Sequence, residues 1–162
     1  APRSALRRRP RPGRTRARAA LEDRLALGGD VASLFVYAYT QNVLDTLYEV
    51  TSRYVDGVTA DEMDYFENPA FGASILSLAW VVAALPQGGF EFATSRSATS
   101  DALVVVARGG GVALAVLVAG LYARAASGHA AVSPQDVAFA AGILPVVGAW
   151  RYVLADAANK MR

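Results

Sequence analysis

The sequence predicts an all-α integral membrane protein, a bundle of four transmembrane helices with both termini on the same side of the bilayer. Three observations predict it. The 162 residues are 54% hydrophobic and only 19% charged, a rich apolar content for a small domain. Four stretches, at about residues 25–44, 69–87, 102–123 and 136–156, are each nearly free of charge. Each is also of the length that a helix rising about 1.5 Å per residue needs to cross a hydrocarbon core about 30 Å thick.

The clearest of the four lies within Asn68 to Phe90, which runs 23 residues without a charged side chain. Asn68-Pro69 marks a helix start, because proline in a first turn gives up an N–H that has no partner there, and Pro86-Gln87-Gly88-Gly89 marks the stop. The first span, LALGGDVASLFVYAYTQNVL, is interrupted by Asp30. An amphipathic helix lying on the membrane surface is the other reading of it. Tyr37, Tyr39 and the group Thr40, Gln41, Asn42 fall towards its far end, where amphipathic rings suit the interface. Residues 45–67 hold seven acids and the single Arg53, which makes a solvated acidic loop with a helical first part. Its run Asp61, Glu62, Asp64, Glu67 lacks the alternation and central glycine of a calcium-binding loop.

The third span follows a polar connection over residues 88–101, where Thr99-Ser100-Asp101 can cap the helix. It contains one charge, Arg108, and three consecutive glycines. Gly109, Gly110, Gly111 and, further on, Gly120 would weaken a helix in water, but in a bundle they let a neighbouring backbone come close. Ser133-Pro134-Gln135-Asp136 starts the fourth span, which Pro145 should bend without ending. Trp150 and Arg151 read as an interfacial anchor.

Residues 1–19 are distinct from the rest. They hold eight arginines and no acid, so the remainder, with eight basic and fourteen acidic residues, carries a net charge of −6. An arginine-rich, acid-free segment with proline and small polar residues has the composition of an organelle transit peptide, here plastid or, as an alternative, mitochondrial, with Ala19 or Ala20 as a processing point. A basic arm for anionic lipid is the other reading. Nucleic acid is not an expected partner, since interleaved aromatics and a folded nucleic-acid motif are both missing. The chain has no cysteine, so disulfides and thiolate metal sites are excluded.

Lysine and arginine counts near the span ends set the orientation. Arg24, Arg96, Arg151, Lys160 and Arg162 lie on one side against Arg53 and Arg124 on the other, which places both termini in the stroma or matrix. Asp30 and Arg108 each lie about one and a half turns inside spans that start from the same side. Equal depth suggests an intramembrane Asp30–Arg108 pair with Arg151 close enough to join, acting as a structural clasp or, alternatively, a proton or anion relay.

Enzyme chemistry is not expected. The sequence has no serine elbow and no phosphate loop, and a lone histidine, His129, cannot form a triad or a metal cluster. Neutral nitrogen and oxygen donors suit the magnesium of chlorophyll, which makes His129, Gln41, Asn42, Asn68 and Gln87 candidate pigment ligands. The Glu-x-x-His/Asn-x-Arg signature of light-harvesting proteins is absent.

Three pieces, LALGGDVASLFVYA in the first span, GLYARAASG at the end of the third and Gly148-Ala149-Trp150-Arg151 in the fourth, carry a resemblance. The chain resembles, over roughly residues 25–155, the bacterial and plastid membrane proteins grouped as domain of unknown function 3054. That resemblance implies a four-helix membrane fold and no known activity. The expectation is a non-catalytic accessory subunit of a plastid membrane complex, photosynthetic and in the thylakoid, packing against other subunits and lipid and holding chlorophyll, carotenoid or lipid at its edges. A small oligomeric transporter or channel using Asp30 and Arg108, and a transient assembly or import factor, are the alternatives.

Overall fold

The computed structural model describes residues 23–55, 68–96, 98–128 and 131–161, and all regular structure among them is helical. In chain order the helices are α1 (Arg24–Val55), α2 (Pro69–Ala84) with a 3-10 turn over Leu85–Gln87, the short α3 (Phe92–Ser95), α4 (Thr99–Ala126), α5 (Pro134–Ala141) and α6 (Ile143–Lys160). Both the arginine-rich residues 1–19 and the acidic run Asp61 to Glu67 lie outside the described residues.

Among the described residues, three helical stretches are long and apolar enough to cross a membrane: Pro69–Gln87, Thr99–Ala126 and Pro134–Lys160. With its 32 residues α1 reaches about 48 Å, so length is not its limitation. Asp30 and the polar group Thr40, Gln41, Asn42 dilute it below the apolarity of the other three.

The helix starts follow the capping chemistry of the sequence in two cases and depart from it in one. The side chain of Asn68 accepts from the amides of Ala70 and Phe71 at 3.1 and 3.3 Å, with Pro69 in the first turn. Ser133 and Asp136 form a reciprocal capping box at the start of α5, at 3.0 and 3.1 Å. At α4 the cap position is Ala98, with no side-chain hydrogen bond. Thr99 and Asp101 are already inside the first turn, where the Asp101 charge complements the helix dipole.

The last span is one apolar stretch in two pieces. Pro145 has no N–H to give the carbonyl of Ala141, and the helix breaks there at Gly142 before α6 resumes. That break leaves room for an aromatic ring: a Cβ on Gly142 would overlap the Tyr37 phenol, which stacks on Phe139 with ring centroids 5.4 Å apart.

The four long elements close a ring in which α1 packs on α2 and α6, and α4 packs on the same two helices. Leu34, Leu76, Trp80, Phe90, Val106 and Ile143 form the centre of the core. Close helix approach is made by glycine. Gly29 receives the Trp150 indole, Gly109 lies against Trp80, and a Cβ on Gly110 would meet Leu144. The expected glycine packing face is therefore divided, because Gly111 and Gly120 have open space around them.

The outer surface is apolar. At most 39% of the residues in the three membrane-compatible stretches are buried, while Leu78, Val82 and Val116 are each more than 60% exposed. A bundle in water would place polar side chains at those positions, and lipid is the solvent in which such a surface is stable. The protein is thus built for association with a membrane.

Candidate functional site

The most buried polar cluster joins three helices. Asp30 on α1 is fully buried, and Arg151 on α6 is 2% exposed. Arg151 Nε donates to Asp30 Oδ1 at 2.8 Å and Nη2 donates to Oδ2 at 2.6 Å, the two-pronged geometry that matches guanidinium to carboxylate. From α2, Trp80 Nε1 donates to Oδ2 at 2.7 Å. The guanidinium also lies over the Phe90 ring, 5.2 Å from its centroid. Both carboxylate oxygens are thus engaged. In surroundings where an unpaired charge costs at least about 2.5 kcal/mol, the cluster is neutral as a whole.

The sequence expectation paired Asp30 with Arg108. The structure brings Asp30 to Arg151, while Arg108 is exposed on α4. Topology supplies the reason: α1 and α4 are diagonal in the ring, so equal depth cannot bring their side chains together, whereas α6 is a direct neighbour of α1. Arg151 is consequently no interfacial anchor, and its charge, cancelled by Asp30, leaves the count of free cations at the membrane surface. Trp150, the other half of the expected anchor, packs into the space at Gly29 instead, and its Nε1 is buried without a protein partner, as is Ser77 Oγ on α2.

A second clasp closes the end where α1 begins. The backbone amide of Asp23 donates to the Phe90 carbonyl at 2.9 Å, tying the entry of α1 to the connection after α2. Its carboxylate accepts from Ser95 Oγ at 2.7 Å, Arg96 Nε at 2.8 Å and the amide of Ala26 at 3.1 Å. Burial pushes this carboxyl up, but the hydrogen bonds from Arg96, Ser95 and Ala26 outweigh it and hold it at about 2, below the usual 3.8. Sequence reasoning missed Asp23, Ser95, Arg96 and Trp80. A signal for Trp80 existed: an indole in the middle of a span, away from the interfaces where tryptophan is at home, needs an acceptor for its N–H.

The candidate pigment ligands are scattered. His129 lies outside the described residues. Asn68 spends its side-chain oxygen on the α2 cap, and Gln41 and Asn42 are half-buried on α1. Gln87, whose Nε2 donates to the Ala83 carbonyl at 3.2 Å, lines an apolar groove of about 650 Å³ between α2, α4 and α5. Leu78, Val82, Val116, Leu121 and Phe139 form its walls, and Asp136 lies at the end opposite Gln87. Among the described residues no cluster of histidine and carboxylate side chains is placed to hold a metal ion.

Two outcomes follow for the clasps. Asp30→Asn or Arg151→Met alone leaves a buried charge uncompensated and should destabilise the fold by about 3–5 kcal/mol, whereas Asp30→Leu with Arg151→Met should recover most of that loss. Reversible unfolding in mixed micelles reads both, and equal losses in the single and double variants would contradict the pairing. For Asp23 the folded pKa is depressed, so its contribution of about 2 kcal/mol is present above pH 3.8 and disappears as the pH falls towards 2. The difference in melting temperature between the wild type and Asp23→Asn should shrink over that interval and stay constant from pH 5 to 7.

Comparison of the chain with protein-family models, with curated proteins and with solved structures gives no match, so the functional reading rests on this geometry and on the sequence.

Proposed function

We propose that the protein is a non-catalytic accessory subunit of a plastid membrane complex, a photosynthetic assembly of the thylakoid, in which α1 is the fourth crossing and both termini face the stroma. The observation that carries this reading is the combination of a charge centre locked inside the bundle with large apolar walls turned outward. Asp30 is fully buried and doubly engaged, while Leu78, Val82, Val112 and Val116 are exposed. A protein whose buried aspartates are held by arginines of its own bundle, and whose outside is apolar along several helices, is suited to packing among other helices and lipids.

Support for the fourth crossing comes from the same centre. Asp30 meets an arginine on α6 and a tryptophan on α2, two helices apolar enough to cross, so α1 shares their depth. Support for the plastid comes from the arginine-rich, acid-free composition of residues 1–19. The groove between α2 and α4 offers an edge site for lipid, carotenoid or chlorophyll, with Gln87 as the polar donor at one end. A transporter using Asp30 would need that carboxylate to face a cavity; the groove does not reach it, which favours the subunit reading.

Two measurements test this. Solubilised in mild detergent, the chain should migrate with a complex several times its own 17.0 kDa, and the comigrating fraction should absorb in the chlorophyll and carotenoid range. A colourless monomer would overturn the reading. Because the chain has no native cysteine, single cysteines at Arg24, Thr51, Ala93 and Met161 can be labelled with an impermeant maleimide. If α1 crosses, Arg24, Ala93 and Met161 react from one side and Thr51 from the other; a surface-lying α1 would give Arg24 and Thr51 the same side.

A further inference from the structure

The outward face of α4 carries two adjacent rows that none of the described helices covers. One row repeats a small residue every fourth position, Ala107, Gly111, Ala115, Ala119 and Ala123, all exposed. The next row is Arg108, Val112, Val116 and Gly120, also exposed, and its last three members form the α4 wall of the apolar groove against α2. Small residues at this spacing let a second backbone approach closely, and the groove beside them accepts its larger side chains. Arg108 stands at the head of the second row. It lies level with Trp80 and Ala84, because the neighbouring Gly109 packs between them. Among the described residues no carboxylate pairs with it. A guanidinium on an apolar helix face at that depth calls for an opposite charge, which the described residues do not supply.

We infer that this face of α4 receives a transmembrane helix of a different protein, one that presents an aspartate or glutamate to Arg108. The inference rests on the subunit reading above and names the partner's chemistry. A second copy of this chain, packed in parallel through the same rows, would set Arg108 against Arg108 at one depth, so the partner is not a homodimer mate. A single lipid is also a poor match. The small-residue row runs from Ala107 to Ala123, sixteen steps and about 24 Å of helix, whereas one leaflet of hydrocarbon is about 15 Å deep. A continuous wall longer than a leaflet fits an object that itself crosses the bilayer.

The test places a photoreactive benzophenone amino acid at Ala115 of the full chain in its own membranes, with Val153 on α6 as the control position. Illumination should give a protein adduct from Ala115 whose crosslinked helix contains an acidic residue. Arg108→Glu should lower the adduct yield at least tenfold, and changing that acid to arginine in the partner should restore it. Gly111→Leu, which meets nothing inside the bundle, should lower the yield comparably while the melting temperature of the isolated chain stays the same. Adducts with lipid alone, with another copy of this chain, or with a helix lacking an acid at that depth overturn the inference. Comigration with a large complex but crosslinking only from Val153 refutes this face and leaves the subunit reading standing; migration as a lone chain refutes both.

Discussion

One carboxylate holds the bundle in register. Asp30 takes three hydrogen bonds from the guanidinium of Arg151 and one from the indole of Trp80, so α1, α6 and α2 meet at a single buried point. Within an apolar interior such a group is stable only with its partners in place, and the loss of one partner is far more costly than the absence of the whole set. Beside it, consecutive residues interlock: Gly29 takes in Trp150 as Asp30 takes Arg151. Sliding α6 along α1 by one turn would lose the steric fit and the ion pair together. The Asp23 clasp then fastens the end of the same helix to the connection after α2.

With its polar groups gathered inside, the bundle presents an apolar exterior, and that division shapes what the protein can be. The interior is narrow, built largely of alanine, glycine and a few large side chains, so its cohesion comes from fit and from the two clasps. The exterior is more varied. α1 is its most polar wall, while α2 and α4 enclose the groove and the small-residue rows. The groove and the small-residue rows thus both lie on the sides of α2 and α4.

Much of the architecture was legible in the sequence, because bilayer thickness and backbone hydrogen bonding leave helices of one length as the solution. Asn68-Pro69 and Ser133-Pro134 marked helix starts that the structure has, whereas Pro145, expected to bend its span without ending it, accompanies a division into two helices at Gly142. The pairing of charges was only half legible. Depth along a span can be counted from the sequence, but lateral order around a ring cannot. Helices that run the same way in an alternating four-membered ring sit diagonally, which is why Arg108 fails to reach Asp30 and Arg151 succeeds. The glycine run shows the same limit: three helical positions in a row point three ways, so Gly109 and Gly110 turn inward while Gly111 turns out. Trp80 was hidden because an apolar run draws attention to its length and not to the one N–H within it.

The separation of 121 positions between Asp30 and Arg151 bears on how the chain is assembled. The acid is made before its arginine, and until α6 arrives it lacks the counterpart that neutralises it. During that interval α1 lacks the partner that makes burial of its carboxylate stable, so its seat in the bundle waits on α6. A product truncated before Arg151 would keep that carboxylate without its guanidinium and could not close the bundle around it.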